Sequence, residues 1–373
     1  MCLVHIGGIT PIRGGGIASV ISNVVNETTD KIDYTLLTSF DKRDFFEAKS
    51  FYPPSIQIVG LRSSGNVIAN GLRYLREAPC DKFDIVHFHN LPFGRSLMYA
   101  LKLHVKGVSL VFSHHLRRED IQSFPSNHIV GVGYYQFCFN NLSKIWRKII
   151  VNSKFMLSDL KRFKACISKA VVIPNGVSIE KIQKSQPLSL AGNPSFLFVG
   201  HLEWHKGIDI LLQAFDRLLK KKSFQKAHLH LVGTGRMKSY YEDFVCEKKL
   251  SDKVHFWNSL SQNVVFRLLK SCDIFVLPSR YEAFGIVLLE AMAAEKPIIS
   301  TKVGGIPEML THNRNALLIQ PKQTELTRAM EYLSQNEGLM KAFSKNNRKD
   351  VAPFSWKNVS EKYVQLYKSI VNV

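Results

Sequence analysis

The chain has 373 residues, 45% hydrophobic and 21% charged, which is the make-up of a soluble globular protein; its length exceeds what one core usually serves, so two domains are expected. Its six cysteines (Cys2, Cys80, Cys138, Cys166, Cys246 and Cys272) are scattered with no CxxC pair and no histidine cluster at metal-ligand spacing, which argues against a disulfide scaffold and against zinc. Fifty Lys and Arg against thirty Asp and Glu leave a formal charge of +20, which favours anionic partners without choosing among phosphates, lipid head groups and nucleic acid.

The chain opens on strand-like sequence, MCLVHIGG, with no basic leader and long apolar run, so no secretory signal is expected. The longest uncharged stretch, Ile129 to Ser143, contains Gln136, Asn140 and Asn141 and falls short of the roughly 20 apolar residues that span a bilayer. A cytoplasmic protein with reduced thiols and no transmembrane helix is the expectation. Through the first half, short β-branched runs (CLVHIG, YTLLTS, DIVHFH, VSLVFS, KIIVNS, AVVIP) alternate with helical patterns, which predicts α/β winding around a parallel sheet. Ligands of such sheets sit at the carboxyl ends of the strands, so the loops after each run carry the information.

After the first run, Arg13-Gly14-Gly15-Gly16 precedes the helical IASVISNVV. Glycine backbone meeting a helix N-terminus can turn amides toward an anion; a flexible turn explains it equally well, and no GxGxxG is present. VFSHHLRRED puts His114 and His115 at a strand end, where an imidazole can bond a substrate hydroxyl or merely cap the surface. From Tyr134 to Lys169, aromatics come first and then Lys144, Arg147, Lys148, Lys154, Lys161, Arg162, Lys164 and Lys169, opposed by Asp159 alone. Two readings stand there: docking on acidic phospholipid with Phe137 or Trp146 inserting, or a basic solvated helix whose aromatics face the core.

The stretch from Glu180 to Ser195, EKIQKSQPLSLAGNPS, is rich in Ser, Pro, Gly and Lys and has little periodicity. It sets the expected domains: 1–183, a linker at 184–194, 195–352, and a final helix at 353–373 that crosses back to the first domain. The second half repeats the α/β scheme with SFLFVG, AHLHLVG, KVHFW, DIFVLP, KPIIST and NALLIQ, and GIDILLQAFDRLLKK has the apolar spacing of a half-buried helix. Gly233-Thr-Gly235 is no dinucleotide fingerprint, because Lys238 stands where the third glycine belongs. FLFVGHLEWHKG delivers Lys206 just before a helix, where an ammonium can meet a phosphate.

SRYEAFGIVLLEAM, Ser279 to Met292, places Glu282 in the loop after DIFVLP and Glu290 in the second turn of the helix that follows. Two carboxylates in such apolar surroundings need compensation. Taken together, the strand-end residues resemble the retaining nucleotide-sugar glycosyltransferases of family 4. The E-x7-E pair, the KG loop, VGGIPE, LHLVGTG, VVIPNGVSIEKI, DIVHFHN and the glycine loop extend the resemblance over nearly the whole chain. It implies a GT-B fold, two Rossmann-like doubly wound parallel-sheet domains facing a central cleft.

The resemblance also implies roles. Glu282 would contact hydroxyls of the transferred sugar and Glu290 the ribose, since an ionised carboxylate can accept from two vicinal hydroxyls. Phe284 and Gly285 would offer amides to the sugar and diphosphate, Lys206 would hold the phosphates, Gly15 and Gly16 would approach the donor, and His114 would lie near the sugar. Two departures stand out. His201 occupies the place of the family's usual second phosphate cation, leaving protonated His201, Arg280 or Arg13 as substitutes, with Arg280 favoured; and Asn258 replaces a glycine near the base, with uridine still favoured over guanosine. The implied reaction is metal-independent, front-face transfer to a glycan or lipid-linked glycan of bacterial surface polysaccharide, with no cofactor and no nucleic acid. A nucleotide-sugar epimerase of the same fold, an inactive scaffold and a basic nucleic-acid-binding protein are the alternatives.

Overall fold

The computed structural model describes residues 1–6, 15–40, 52–62, 83–89, 95–115, 136–161 and 167–372. The chain divides into two compact units, Met1–Asn175 together with Trp356–Val373, and Gly176–Ser355. Each is built on one wholly parallel sheet.

The first sheet comprises β1 (Cys2–Ile6), β2 (Asp33–Phe40), β3 (Gln57–Arg62), β4 (Ile85–Phe88), β5 (Ser109–His114), β6 (Trp146–Val151) and β7 (Ala170–Val172), in the order β3-β2-β1-β4-β5-β6-β7. The second comprises β8 (Ser195–Val199), β9 (His228–Val232), β10 (Val254–Trp257), β11 (Ile274–Leu277), β12 (Ile298–Thr301) and β13 (Leu317–Ile319), in the order β10-β9-β8-β11-β12-β13. In both, the chain winds outward one way and then returns to wind the other way, so the order reverses between β1 and β4 and between β8 and β11. These reversals leave a crevice at the strand carboxyl ends, the usual place for a ligand. β3 is absent from the sequence expectation: QIVGLR is a short edge strand with a glycine inside and an arginine at its end.

Apolar spacing fixes the helices. In the first unit, α1 (Gly15–Thr28) turns Val20, Ile21, Val24 and Val25 onto the sheet, and α2 (Arg95–Val105) buries Tyr99, Ala100 and Leu103. The short α3 (Lys154–Leu160) starts at Ser153, whose hydroxyl accepts from the Met156 amide at 3.0 Å. In the second unit, α4 (Ile179–Lys184) occupies the start of the stretch read as a linker, and α5 (Ile208–Leu219) buries Ile208, Leu211, Leu212, Phe215 and Leu218 along one face. There follow α6 (Lys238–Glu247), α7 (Gln262–Ser271), α8 (Ile286–Ala293), α9 (Gln323–Ser334) and α10 (Glu337–Asp350).

The last helix, α11 (Trp356–Val371), belongs to the first unit, where Trp356, Val359, Tyr363, Val364 and Tyr367 join the core with α1 and β1. A fully buried imidazole locks it down: His87 Nδ1 lies 2.8 Å from Tyr367 Oη and its Nε2 lies 2.8 Å from Ser113 Oγ. Pairing both ring nitrogens is what makes a buried histidine tolerable.

Within 144–169, the described residues form a turn, then β6 and α3, not one basic helix. Trp146 is core, 3% exposed between Phe88 and Phe112, so it is unavailable for membrane insertion; Phe137 is 47% exposed. Arg162 and Lys164 lie outside the described residues.

Candidate active site

The switch point of the second sheet gathers the residues that the sequence singles out. After β8 the chain passes Gly200 and His201 and makes a tight turn at Trp204–Lys206, closed by Gly207 in the left-handed region at φ 71°. A Cβ on Gly207 would stand 2.1 Å from the Pro278 carbonyl oxygen, so only glycine lets this turn lie against the loop after β11. That approach carries Lys206 to Glu282 across 76 positions of sequence: Nζ lies 2.6 Å from Oε2, with the side chains 17% and 12% exposed. Ser279 Oγ donates to the same carboxylate oxygen at 3.4 Å, and the Ser279 carbonyl accepts from Thr301 Oγ1 at 2.5 Å.

The Glu282 backbone is held by VGGIPE. Its carbonyl accepts from the Gly305 amide at 3.0 Å, while Gly304, at φ 56°, lies so close that an added Cβ would be 1.8 Å from that oxygen. Gly304→Ala is therefore expected to cost stability by about 2 kcal/mol or more and to displace Glu282, lowering Tm and donor turnover together. Gly338→Ala, where an added Cβ meets nothing within 4 Å, should leave both near the parent values.

Gly285, at φ 89°, caps α8, and the first-turn amides of that helix carry its positive end. Phe284 is buried, 3% exposed, so only its backbone is available to a ligand. Glu290 sits inside an otherwise apolar helix. Burial pushes its carboxyl up to about 7, against the opposing pull of a hydrogen bond with Gln262.

The flanking cations are spent on the protein. Arg280, favoured from sequence as the second phosphate cation, is committed to Asp209 in the first turn of α5: Nη1 to Oδ1 at 2.7 Å and Nη2 to Oδ2 at 2.5 Å, a bidentate fork. Nη1 also donates to the Trp204 carbonyl at 2.9 Å, and the guanidinium lies 4.2 Å over the Trp204 ring. Arg236 similarly holds Glu203 at 3.1 Å. These two arginines buttress the turn that presents Lys206. His201 is exposed beside it, and neighbouring His205 is pushed below the ordinary imidazole range, by burial first and then by Lys206. Asn258 Oδ1 accepts from Lys238 Nζ at 2.7 Å.

GTG does different work from a dinucleotide loop. An added Cβ on Gly233 would stand 2.0 Å from the Gly200 carbonyl oxygen, and one on Gly235 2.4 Å from that of Leu202, so both glycines serve close packing under the loop after β8.

In the first unit, Gly15 and Gly16 open α1, downstream of β1 at that sheet's switch point, and Arg13 lies outside the described residues. His114 is 1% exposed within β5, its ring edge-on to Phe139 at 5.0 Å. His115, the next residue, stacks on His89 at 5.9 Å, and its buried Nε2 has no hydrogen-bond partner among the described residues. Burial lowers the His115 pKa to about 4, so this ring is neutral at neutral pH. The sequence reading names both strand-end histidines and chooses His114; it gives His89 no role, and only alternation along the strand separates His115 from His114. Among the described residues, no group of three or more His, Cys, Asp or Glu could hold a metal ion, and no helix is long and apolar enough to cross a membrane.

A family model described as Glycosyltransferase Family 4 matches residues 14–181, and one described as Glycosyl transferases group 1 matches residues 180–350. An uncharacterized glycosyltransferase of Methanocaldococcus jannaschii is 29% identical over 309 residues, 77% of this chain and 76% of that protein. The N,N'-diacetylbacillosaminyl-diphospho-undecaprenol alpha-1,3-N-acetylgalactosaminyltransferase of Campylobacter jejuni is 29% identical over 249 residues, covering 64% and 61%. In fold, the chain is similar to the Anabaena protein HepE, whose structure is known in complex with UDP-glucose: TM-score 0.78 at 16% identity, over 99% of this chain and 100% of that one.

Proposed function

Since the chain belongs to the family 4 glycosyltransferases and has their GT-B fold, we propose that it transfers a sugar, with retention of anomeric configuration, from a UDP-sugar to a glycan or lipid-linked glycan in bacterial surface polysaccharide synthesis. The observation that carries this reading is the Lys206–Glu282 pair at the switch point beside the N-terminus of α8. Cleaving a nucleotide sugar expels a diphosphate from a carbon that becomes oxocarbenium-like, so a cation and oriented amides are needed at the leaving group. Lys206 and the first turn of α8 supply them. With donor bound, Lys206 turns to the diphosphate and Glu282 accepts from sugar hydroxyls, each exchanging the other for a ligand group.

Glu290 accepts from the ribose, the Phe284 and Gly285 amides meet sugar and diphosphate, and Gly15 and Gly16 approach the donor. His201 stands as the second phosphate group in place of the engaged Arg280. In the first unit the sugar-facing role stays with His114, as the resemblance implies; His115 beside it has a neutral ring whose Nε2 has no hydrogen-bond partner among the described residues. The departing phosphate takes the acceptor's proton, and no metal or cofactor takes part.

Support for the donor comes from the likeness to a fold solved with UDP-glucose, and for the acceptor from the diphospho-undecaprenol substrate named for the Campylobacter relative. The reaction belongs on the cytoplasmic face of a membrane, with the basic segment 144–169 toward anionic lipid. The test is a mass-spectrometric screen of UDP-, GDP- and ADP-sugars against polyprenyl-diphosphate-linked sugars. A new glycan from a UDP-sugar is expected; isomerised donor with no acceptor product would replace transfer by epimerisation.

A further inference from the structure

The first sheet has a second feature, at the opposite ends of its strands from the switch point. An open cavity of about 810 Å³ lies where β5 and β6 begin, lined by Lys144, Arg147, Lys148 and Lys169 together with His104 and Ser109. Its size is that of small-molecule sites. Neighbours in a regular strand point to opposite faces, yet Arg147 and Lys148 both reach this cavity. The cause is a bulge: Leu110 pairs with Trp146 and Val111 with Lys148, leaving Arg147 as the extra residue. Lys169 Nζ donates to the carbonyls of Ser143 at 3.0 Å and Lys144 at 3.3 Å, which fixes the turn that carries Lys144.

No carboxylate is among the lining residues. The ends of α2 and α11 do approach, through His104 and Gly107 on one side and Ser369 and Ile370 on the other. Each helix C-terminus contributes roughly half a negative charge, so the pair offsets about one of the four formal positive charges.

A separate observation says what accompanies the anion. The outward face of α2 carries Met98, Leu101 and Val105, exposed by 45%, 41% and 86%, at the spacing of one helical stripe. That stripe runs to the cavity, since His104 and Gly107 flank its last member. Cations beside exposed apolar side chains match an amphiphile with an acidic head.

We infer that this face docks on a bilayer through an anionic phospholipid, whose headgroup phosphate enters the cavity onto Lys144, Arg147 and Lys148 while the α2 stripe meets the acyl boundary. The inference deepens the membrane setting proposed above and rests on it, but it does not depend on sugar transfer. Each cation near an anionic surface is worth roughly fivefold in binding, so three are worth roughly a hundredfold.

The test is sedimentation of the full-length protein with vesicles, which needs no sugar donor. Binding to phosphatidylglycerol vesicles but not to pure phosphatidylcholine is expected, weakened by salt and reduced roughly a hundredfold in Lys144→Ala/Arg147→Ala/Lys148→Ala. The exposed control Lys226→Ala/Lys345→Ala/Lys357→Ala removes the same net charge and should bind like the parent. Met98→Ser/Leu101→Ser/Val105→Ser should weaken binding at high salt as well. Equal loss in the two lysine/arginine triples would overturn the inference in favour of net charge alone. So would melting-temperature stabilisation by inorganic phosphate, abolished in the cavity triple, with no vesicle binding, since the ligand would then be free phosphate. Circular dichroism melts establish that each variant is folded.

Discussion

Lys206→Met is expected to lower sugar transfer by at least about a hundredfold, the scale of losing one transition-state electrostatic contact, and the paired variant separates this from a loss of structure. Lys206 and Glu282 are 2.6 Å apart and mostly enclosed. Removing one partner of a fully buried pair costs roughly 3–5 kcal/mol because the other charge is stranded; here the carboxylate edge still meets water and Ser279, so about 2 kcal/mol is expected. Lys206→Met/Glu282→Gln leaves no stranded charge and keeps the volume. It should return to within about 1 kcal/mol of the parent stability while transfer stays down by the full factor or more. Chemical denaturation and initial rates on the same preparations check both. Activity that recovers along with stability would make the pair structural.

Glu290→Gln is expected to stabilise the protein at pH 8 and to do nothing at pH 4. Burial raises the folded-state pKa of this carboxyl from the ordinary 4.5 to about 7. Below 4.5, folded and unfolded chains both hold the proton and the group is silent. Between 4.5 and 7 the unfolded chain has lost the proton that the folded chain keeps, so stability falls as pH rises, and the full loss is present above 7. At about 1.4 kcal/mol per unit, the glutamine should recover about 3 kcal/mol at pH 8.

The same carboxylate should make donor binding pH-dependent. Ribose hydroxyls donate to the ionised form, so nucleotide binding releases a proton and affinity rises from pH 6 to pH 8 by up to about tenfold. The glutamine variant should bind more weakly and show a flat profile. Thermal melts and UDP titrations at both pH values test this; a parent affinity independent of pH would remove Glu290 from the ribose.

Repetition made the architecture legible. Short β-branched runs ending in glycine or polar residues gave two parallel sheets, and GIDILLQAF placed Ile208, Leu211, Leu212 and Phe215 on one face, where they are buried. QIVGLR was overlooked because an edge strand has neither a long apolar run nor clean alternation.

Legibility of the site was uneven. E-x7-E and the KG loop drew attention to Glu282 and Lys206, but their contact depends on a strand order that reverses between β8 and β11, which no local pattern encodes. Arg280 beside the proposed phosphates looked available from sequence; its partner, Asp209, lies 71 positions away in the first turn of α5. VGGIPE read as a family mark, yet its physical content is backbone approach, with Gly304 and Gly305 against the carbonyls of Glu282 and Ala283. His114 and His115 are adjacent in sequence, and only the strand's geometry shows that the first is packed against Phe139. The basic run 144–169 misled as a helix because charge counting is blind to the bulge that turns Arg147 and Lys148 into one cavity.

The most direct measurement is proton NMR of the anomeric position during turnover of an α-linked UDP-sugar, in the presence of a chelator, with a polyprenyl-diphosphate-linked acceptor. The account predicts an α-linked product formed at an undiminished rate in the parent protein and almost none from Lys206→Met. A β-linked product, or turnover that stops with the chelator and returns with a divalent cation, would contradict it.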